Sequence, residues 1–271
     1  MVKNALKILV ISVTLVSCTI NPTYKRKDIE KTIEKICKEE FNIDVTSFVT
    51  GETIWIYAPF YDLVNPDKSF NEKAREKIEH IFLSLKRVVL SMDKPPKFFA
   101  FVASDIKNIG VDIYQIGFIP DIVKFELQFI SQKELQNRMV FIPTEDRKAL
   151  GDKKGLHVTM NEITMGDFIT YLVLQKLMNT YYKESENKYV SVNTIDGNYQ
   201  YGKITIIVDI THITGNKNEI PSPLFIAEKS LIHYLNIYKE FTAEIDYVEI
   251  IDKSSGKKRL YTIKALLERD Y

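Results

Sequence analysis

Apolar residues in "DIEKTIEKICKEEF" fall on one stripe: Ile29, Ile33, Ile36, Cys37 and Phe41. That spacing is one face of a helix, and it predicts a first helix from about Asp28 to Glu40. "NIDVTSFV" and "TIWIYA" follow as strands, with a turn at Gly51 and a stop at Pro59. Ser69-Phe70-Asn71-Glu72 has the form of a capping box. It opens a long amphipathic helix with Ala74, Ile78, Ile81, Leu85, Val88, Val89 and Met92 on one face, ended by Pro95-Pro96. "KFFAFVAS" and "GVDIYQIGF" predict two strands across a loop with Asn108 and Gly110. In "IVKFELQF", Val123, Phe125, Leu127 and Phe129 alternate with Lys124, Glu126 and Gln128, as in a half-buried strand. Ser131 to Glu134 reads as a second capping box before a short helix, and "MVFI" as one more strand.

Pro143 to Gly155 is charged and holds two glycines, so it reads as a connection. Beyond it the order partly repeats. Phe168, Leu172, Leu174, Leu177 and Met178 mark an apolar helix from Thr164 to about Tyr182. "GKITIIVDI" predicts a strand. Ser222-Pro223 opens a helix to about Tyr238, with proline at the first helical position. "AEIDYVEII" and "KRLYTIK" predict a hairpin across Ser254-Ser255-Gly256, and a short helix follows. Both halves read helix, strands, helix, hairpin. The order predicts the α+β class, with antiparallel sheets and helices packed on one face. The boundaries it implies are an N-terminal α+β domain over 28–142 and a C-terminal one over 156–271.

Several strands of the first half are apolar on both faces. Ile54 and Ile56 point one way, Trp55 and Tyr57 the other; Phe99 and Phe101 oppose Phe98 and Val102. Val111 and Ile113 oppose Tyr114, Ile116 and Phe118. A sheet with one helical layer needs only one apolar face. Either the rest of the chain covers the second face, or Trp55, Tyr57, Tyr114, Ile116 and Phe118 form an aromatic surface for a lipidic ligand or a protein.

The first residues follow a different pattern. Lys3 and Lys7 precede an apolar run, Ile8 to Val16, interrupted only by Ser12 and Thr14. The run is about half the ~20 residues a spanning helix needs, and it has the layout of a secretory signal peptide. Leu15-Val16-Ser17-Cys18 resembles the lipobox of bacterial lipoproteins, a resemblance confined to about the first twenty residues. It implies a signal peptide over 1–17 and a diacylglycerol thioether on Cys18, which becomes the first mature residue. Each buried CH₂ contributes about 0.8 kcal/mol, and stable anchoring takes more than one chain. Thr19 stands where inner-membrane lipoproteins often carry Asp, which points to an outer membrane if the bacterium has two. Residues 18–27 then read as a tether. Its Lys25-Arg26-Lys27 either solvates the linker or touches anionic headgroups.

Composition adds limits. The 271 residues are 45% hydrophobic and 27% charged, ordinary globular values. Removing 1–17 takes away two lysines and no acid, leaving 35 basic against 36 acidic side chains and a net charge of −1. That balance argues against a nucleic-acid binder. With Cys18 lipidated, Cys37 is the one cysteine left, so no internal disulfide can form, and its stripe places it in the core.

The chain offers little catalytic chemistry. His80, His157, His212 and His233 lack paired-ligand spacing, and Asp209 and His212 meet only if a strand bends. There is no nucleophile elbow, no glycine-rich phosphate loop among ten glycines, and no cysteine paired with histidine. Asp196-Gly197 reads as a turn. Glu244 and Asp246 read as neighbours on a solvated strand face, without a cleft for acid–base work. No catalytic residue, metal or cofactor is therefore assigned. The expectation is a membrane-tethered, non-catalytic envelope protein that binds or scaffolds another envelope component. The alternatives are a lipid-anchored hydrolase of envelope polymers and a carrier of an apolar ligand.

Overall fold

The computed structural model describes residues 23–67, 69–107, 111–144, 160–186, 189–213 and 220–269. The expected signal peptide, Cys18, His157 and most of the expected connection lie outside the described residues.

The fold is α+β. In the first half, helix α1 (Ile29–Phe41) ends where Asn42 turns left-handed at φ 54°. The hairpin β1 (Thr46–Thr50) and β2 (Thr53–Phe60) follows, then α2 (Glu72–Leu90), then β3 (Phe98–Asp105) and β4 (Asp112–Phe118). Two short helices, α3 (Ile119–Glu126) and α4 (Gln132–Asn137), lead to β5 (Val140–Thr144). The second half repeats the opening order: α5 (Met165–Glu186), β6 (Val190–Gln200), β7 (Lys203–His212), α6 (Pro223–Ile237), β8 (Tyr247–Asp252) and β9 (Lys257–Thr262), with α7 (Ile263–Leu267) last.

The sheets run β1-β2-β3-β4-β5 and β6-β7-β8-β9. Both are mixed rather than antiparallel. β2 pairs parallel with β3, and β7 parallel with β8. In each case a helix, α2 or α6, intervenes, and a helical crossover returns the chain in the same direction. The hairpins on either side are antiparallel. The two halves thus share one topology.

Four layers result. α1 and α2 cover one face of the first sheet through Ile54, Ile56, Ala58, Phe99, Phe101 and Ala103. Cys37 is fully buried there, and burial pushes its thiol pKa up. The opposite face, carrying Trp55, Phe98, Ala100, Val102, Ile116 and Phe118, joins one core with α5, α6 and Ile204, Ile206, Val208, Val248 and Ile250 of the second sheet. α5 and α6 lie between two sheets, which is why α5 is apolar over most of its circumference. α1 and α2 each need a single apolar stripe.

Several local expectations change. Ile122–Phe129 is not a strand: α3 occupies Ile119–Glu126, with Pro120 in its first turn. Ile119 and Ile122, three apart, are buried, whereas Leu127 and Phe129 are exposed. β2 continues through Pro59, which lies past the end of β1. α2 is capped by Asn71 rather than Ser69, its side chain accepting from the amides of Lys73 and Ala74. Asp196-Gly197 lies inside β6, opposite Ile207 and Ile206. A Cβ at Gly197 would stand 2.6 Å from the Thr205 carbonyl oxygen, so close backbone approach, not a turn, explains the glycine. The turn falls at Tyr201-Gly202, with φ 52° and 76°. Glu244 and Asp246 precede β8 rather than lie in it.

The last residues of the expected tether are held on the body. Tyr24 bridges to Met92, and its amide donates to the Ser91 carbonyl at 3.2 Å. Arg26 donates to both Glu52 carboxylate oxygens, at 2.9 and 3.1 Å, and to the Gly51 carbonyl. Arg26 is thus engaged internally, while Lys25 and Lys27 stay exposed.

Candidate functional site

Alternation along β2 and β4 aims Trp55, Tyr57, Tyr114, Ile116 and Phe118 at one side of the first sheet, as expected. That side is not a surface. Trp55, Ile116 and Phe118 are 0–1% exposed, and Tyr57 and Tyr114 are half-buried against the same core. Trp55 donates its indole N–H to the Asn161 carbonyl at 3.0 Å. Phe118 packs against Phe98, Phe168, Tyr238 and Phe241. The second half of the chain supplies the missing cover, so the aromatic surface is corrected to core.

A larger concavity than the clefts described below lies elsewhere, in a groove of about 740 Å³ between α4, α5 and α6. Its wall on α6 is the stripe Ile226, Lys229, Ser230, His233 and Tyr234, residues one helical face brings together. α5 contributes Gln175, Lys176, Asn179 and Thr180, and α4 contributes Gln136 and Asn137. No carboxylate is among these residues. Lys176, Lys229 and His233 are exposed, and the amides and hydroxyls around them can both donate and accept. Such a wall suits a polar partner carrying negative charge.

Behind the groove lies a buried ion network. Asp121, 1% exposed, accepts from Arg138 at 3.1 Å and from the Tyr238 hydroxyl at 2.8 Å. Arg138 also donates to Glu134 at 2.8 Å. Burial, and then the Asp121 charge, push the Tyr238 hydroxyl pKa up. Burial, and then Glu134, do the same for Tyr234. Through Asp121 and Arg138 the network ties α3 and α4 to the end of α6. A second buried acid, Glu228, accepts from Arg259, Tyr261 and Arg269 on the other side of α6.

Gln175 has a different task. Its amide nitrogen donates to the Met139 carbonyl at 3.1 Å, and its oxygen accepts from the Phe141 amide. It pairs with the outer side of β5 as another strand would.

Two smaller clefts occupy matching positions in the two halves, at the carboxyl ends of the parallel strands. One, of about 350 Å³, lies among Phe60, Asp62, Asn71 and Lys73. The other, of about 240 Å³, lies among His212, Ser222, Pro223 and Asp252. Asp105 and Asp252 end the equivalent strands β3 and β8. Asp105 accepts from the amides of Leu63, Val64 and Lys107, and Asp252 from the amides and hydroxyls of Ser254 and Ser255. These hydrogen bonds close turns.

The histidines are scattered. His80 stacks on Phe41, ring centroids 4.3 Å apart. His212 and His233 line separate clefts. Glu244 accepts from the Met165 amide at 3.1 Å, at the start of α5. Among the described residues no group of three or more His, Cys, Asp or Glu could hold a metal ion, and no helix is long and apolar enough to cross a membrane. The groove was missed from sequence. Its signal is present: Gln175, Lys176, Asn179 and Thr180 interrupt an otherwise apolar helix at helical spacing. No protein-family model matches the chain, and no curated protein or solved structure gives a match.

Proposed function

We propose that this chain is a lipid-anchored, non-catalytic protein of the bacterial cell envelope, and that its body binds another envelope component through the groove between α4, α5 and α6. The observation that carries the reading is Leu15-Val16-Ser17-Cys18 after a short basic and apolar leader. The groove supports the binding role, because its lining combines Lys176, Lys229 and His233 with amides and hydroxyls and contains no acid. An acidic partner surface complements it, and such complementarity raises association rate and specificity.

Cys18→Ala is expected to abolish incorporation of a fatty-acid analogue and to release the protein from the membrane fraction. Unchanged fractionation rejects the anchor. Lys176→Glu combined with Lys229→Glu reverses the groove's charge at two exposed positions. Co-purification from native membranes is expected to lose the acidic partner with this variant and keep it with the wild type. Identical partner sets reject the groove as the binding surface.

A further inference from the structure

The anchored reading sets a distance. Five residues separate Cys18 from Tyr24, and Tyr24 is bonded to the body. At the ~3.4 Å per residue of an extended chain, the lipid-bearing sulfur lies within about 20 Å of Tyr24. The end of the body that carries Tyr24 must therefore sit at the bilayer.

That end can be traced through contacts. Arg26 clasps Glu52, whose amide donates to Glu162 at 2.9 Å. Residues 163 and 164 lead into α5, where the Met165 amide donates to Glu244. Two residues on, the Asp246 amide donates to the Gly202 carbonyl at 2.7 Å. One continuous rim thus runs from Tyr24 to the β6–β7 hairpin tip. It gathers the amino-terminal ends of β2, β3, β7 and β8, while Asp105 and Asp252 end strands at the opposite pole.

At the tip stands Tyr201, 100% exposed. Its φ is 52°, in a two-residue turn whose first position favours Asn, Asp or Gly. A bulky residue there is a backbone outlier, and such outliers gather at functional positions. Tyr247 and Phe241, 46% and 38% exposed, lie on the same rim. Tyrosine favours the membrane–water interface, its ring in the headgroup region and its hydroxyl hydrated.

We infer that this rim is a bilayer contact, with Tyr201 entering the headgroup region as a second attachment beside the Cys18 lipid, so that the strands stand upright on the membrane. The inference rests on the anchored reading. Lys97, Glu52, Glu162, Glu240 and Glu244 gather around one cleft on the rim, which offers anionic lipid no basic patch, so the contact is aromatic rather than electrostatic. It forms on zwitterionic lipid and is insensitive to salt.

The full mature lipoprotein in phosphatidylcholine vesicles tests this. An environment-sensitive fluorophore is placed on Tyr201→Cys, and in separate preparations on Gln200→Cys and Lys253→Cys; buried Cys37 stays unlabelled. Lys253 follows β8 at the opposite pole, about 20 Å away at ~3.3 Å per strand residue. Headgroup-level spin-labelled lipid is expected to quench positions 201 and 200 several-fold more than 253, at low and high salt alike. Equal quenching at all three, with fatty acid present on Cys18 by mass spectrometry, overturns the rim contact and leaves the anchor standing. Unmodified Cys18 in the same preparation overturns both.

Discussion

Trp55 fills the space between the two halves. Its indole is 1% exposed, lies parallel to the Phe48 ring at 6.3 Å, and bonds to the Asn161 carbonyl across 106 residues of sequence. Truncation removes a large apolar surface and leaves a cavity beneath α5. Trp55→Ala is expected to cost about 3–5 kcal/mol, read as a lower urea midpoint. A variant that folds with wild-type stability contradicts the burial. Here the sequence carried half of the answer. The alternation of Trp55 and Tyr57 against Ile54 and Ile56 shows that both faces of the strand are apolar. Which partner covers the second face depends on residues more than 100 positions away, and no local pattern encodes that.

Among elements, the amphipathic helices were the most legible. The stripes of α1 and α2 follow from one buried face each, and a single face leaves a clear period. α3 was misread because eight residues of alternating character also satisfy an i, i+3 spacing, and Pro120 in its first turn is the deciding signal. The parallel pairs were hidden as well, since adjacency of β2 to β3 comes from the crossover of α2 and not from either strand. α5 and α6 carry several tyrosines whose hydroxyls are buried. Burial, and then Asp167, push Tyr171 up to about 12. Burial, then Asp252, raise Tyr181, whose hydroxyl donates to the Pro221 carbonyl, and Tyr234 is raised likewise. An unfolded tyrosine ionises near ~10. Because the folded values are higher, the contribution of these groups is complete below that pH. It is lost as pH rises from there through the folded values. Alkaline titration is expected to release these phenolate signals together with loss of the helical circular dichroism. Ionisation of every tyrosine with the helical signal intact contradicts the packing.

At the scale of the molecule, two halves of one topology share a single large core. The four-layer order makes the second half's helices serve both sheets, so neither half has its full apolar cover alone. Tyr238 and Asp121 add a polar tie across 117 residues of sequence. Tyr238→Phe keeps the ring edge-on to Phe118 and Phe168 but removes one donor from a buried carboxylate. A loss of about 1–3 kcal/mol is expected, with one cooperative urea transition in both proteins. Two separated transitions in the wild type contradict the shared core.

The amide of Gln175 occupies the outer hydrogen-bonding row of β5, at the rim of the first sheet. An uncovered rim of this kind recruits strands from other chains. With the Phe141 amide of β5 and the Met139 carbonyl just before it already satisfied from α5, a foreign strand would have to displace the Gln175 side chain before it could add to the sheet. The same helix that seals the interior therefore protects the protein against edge-to-edge aggregation.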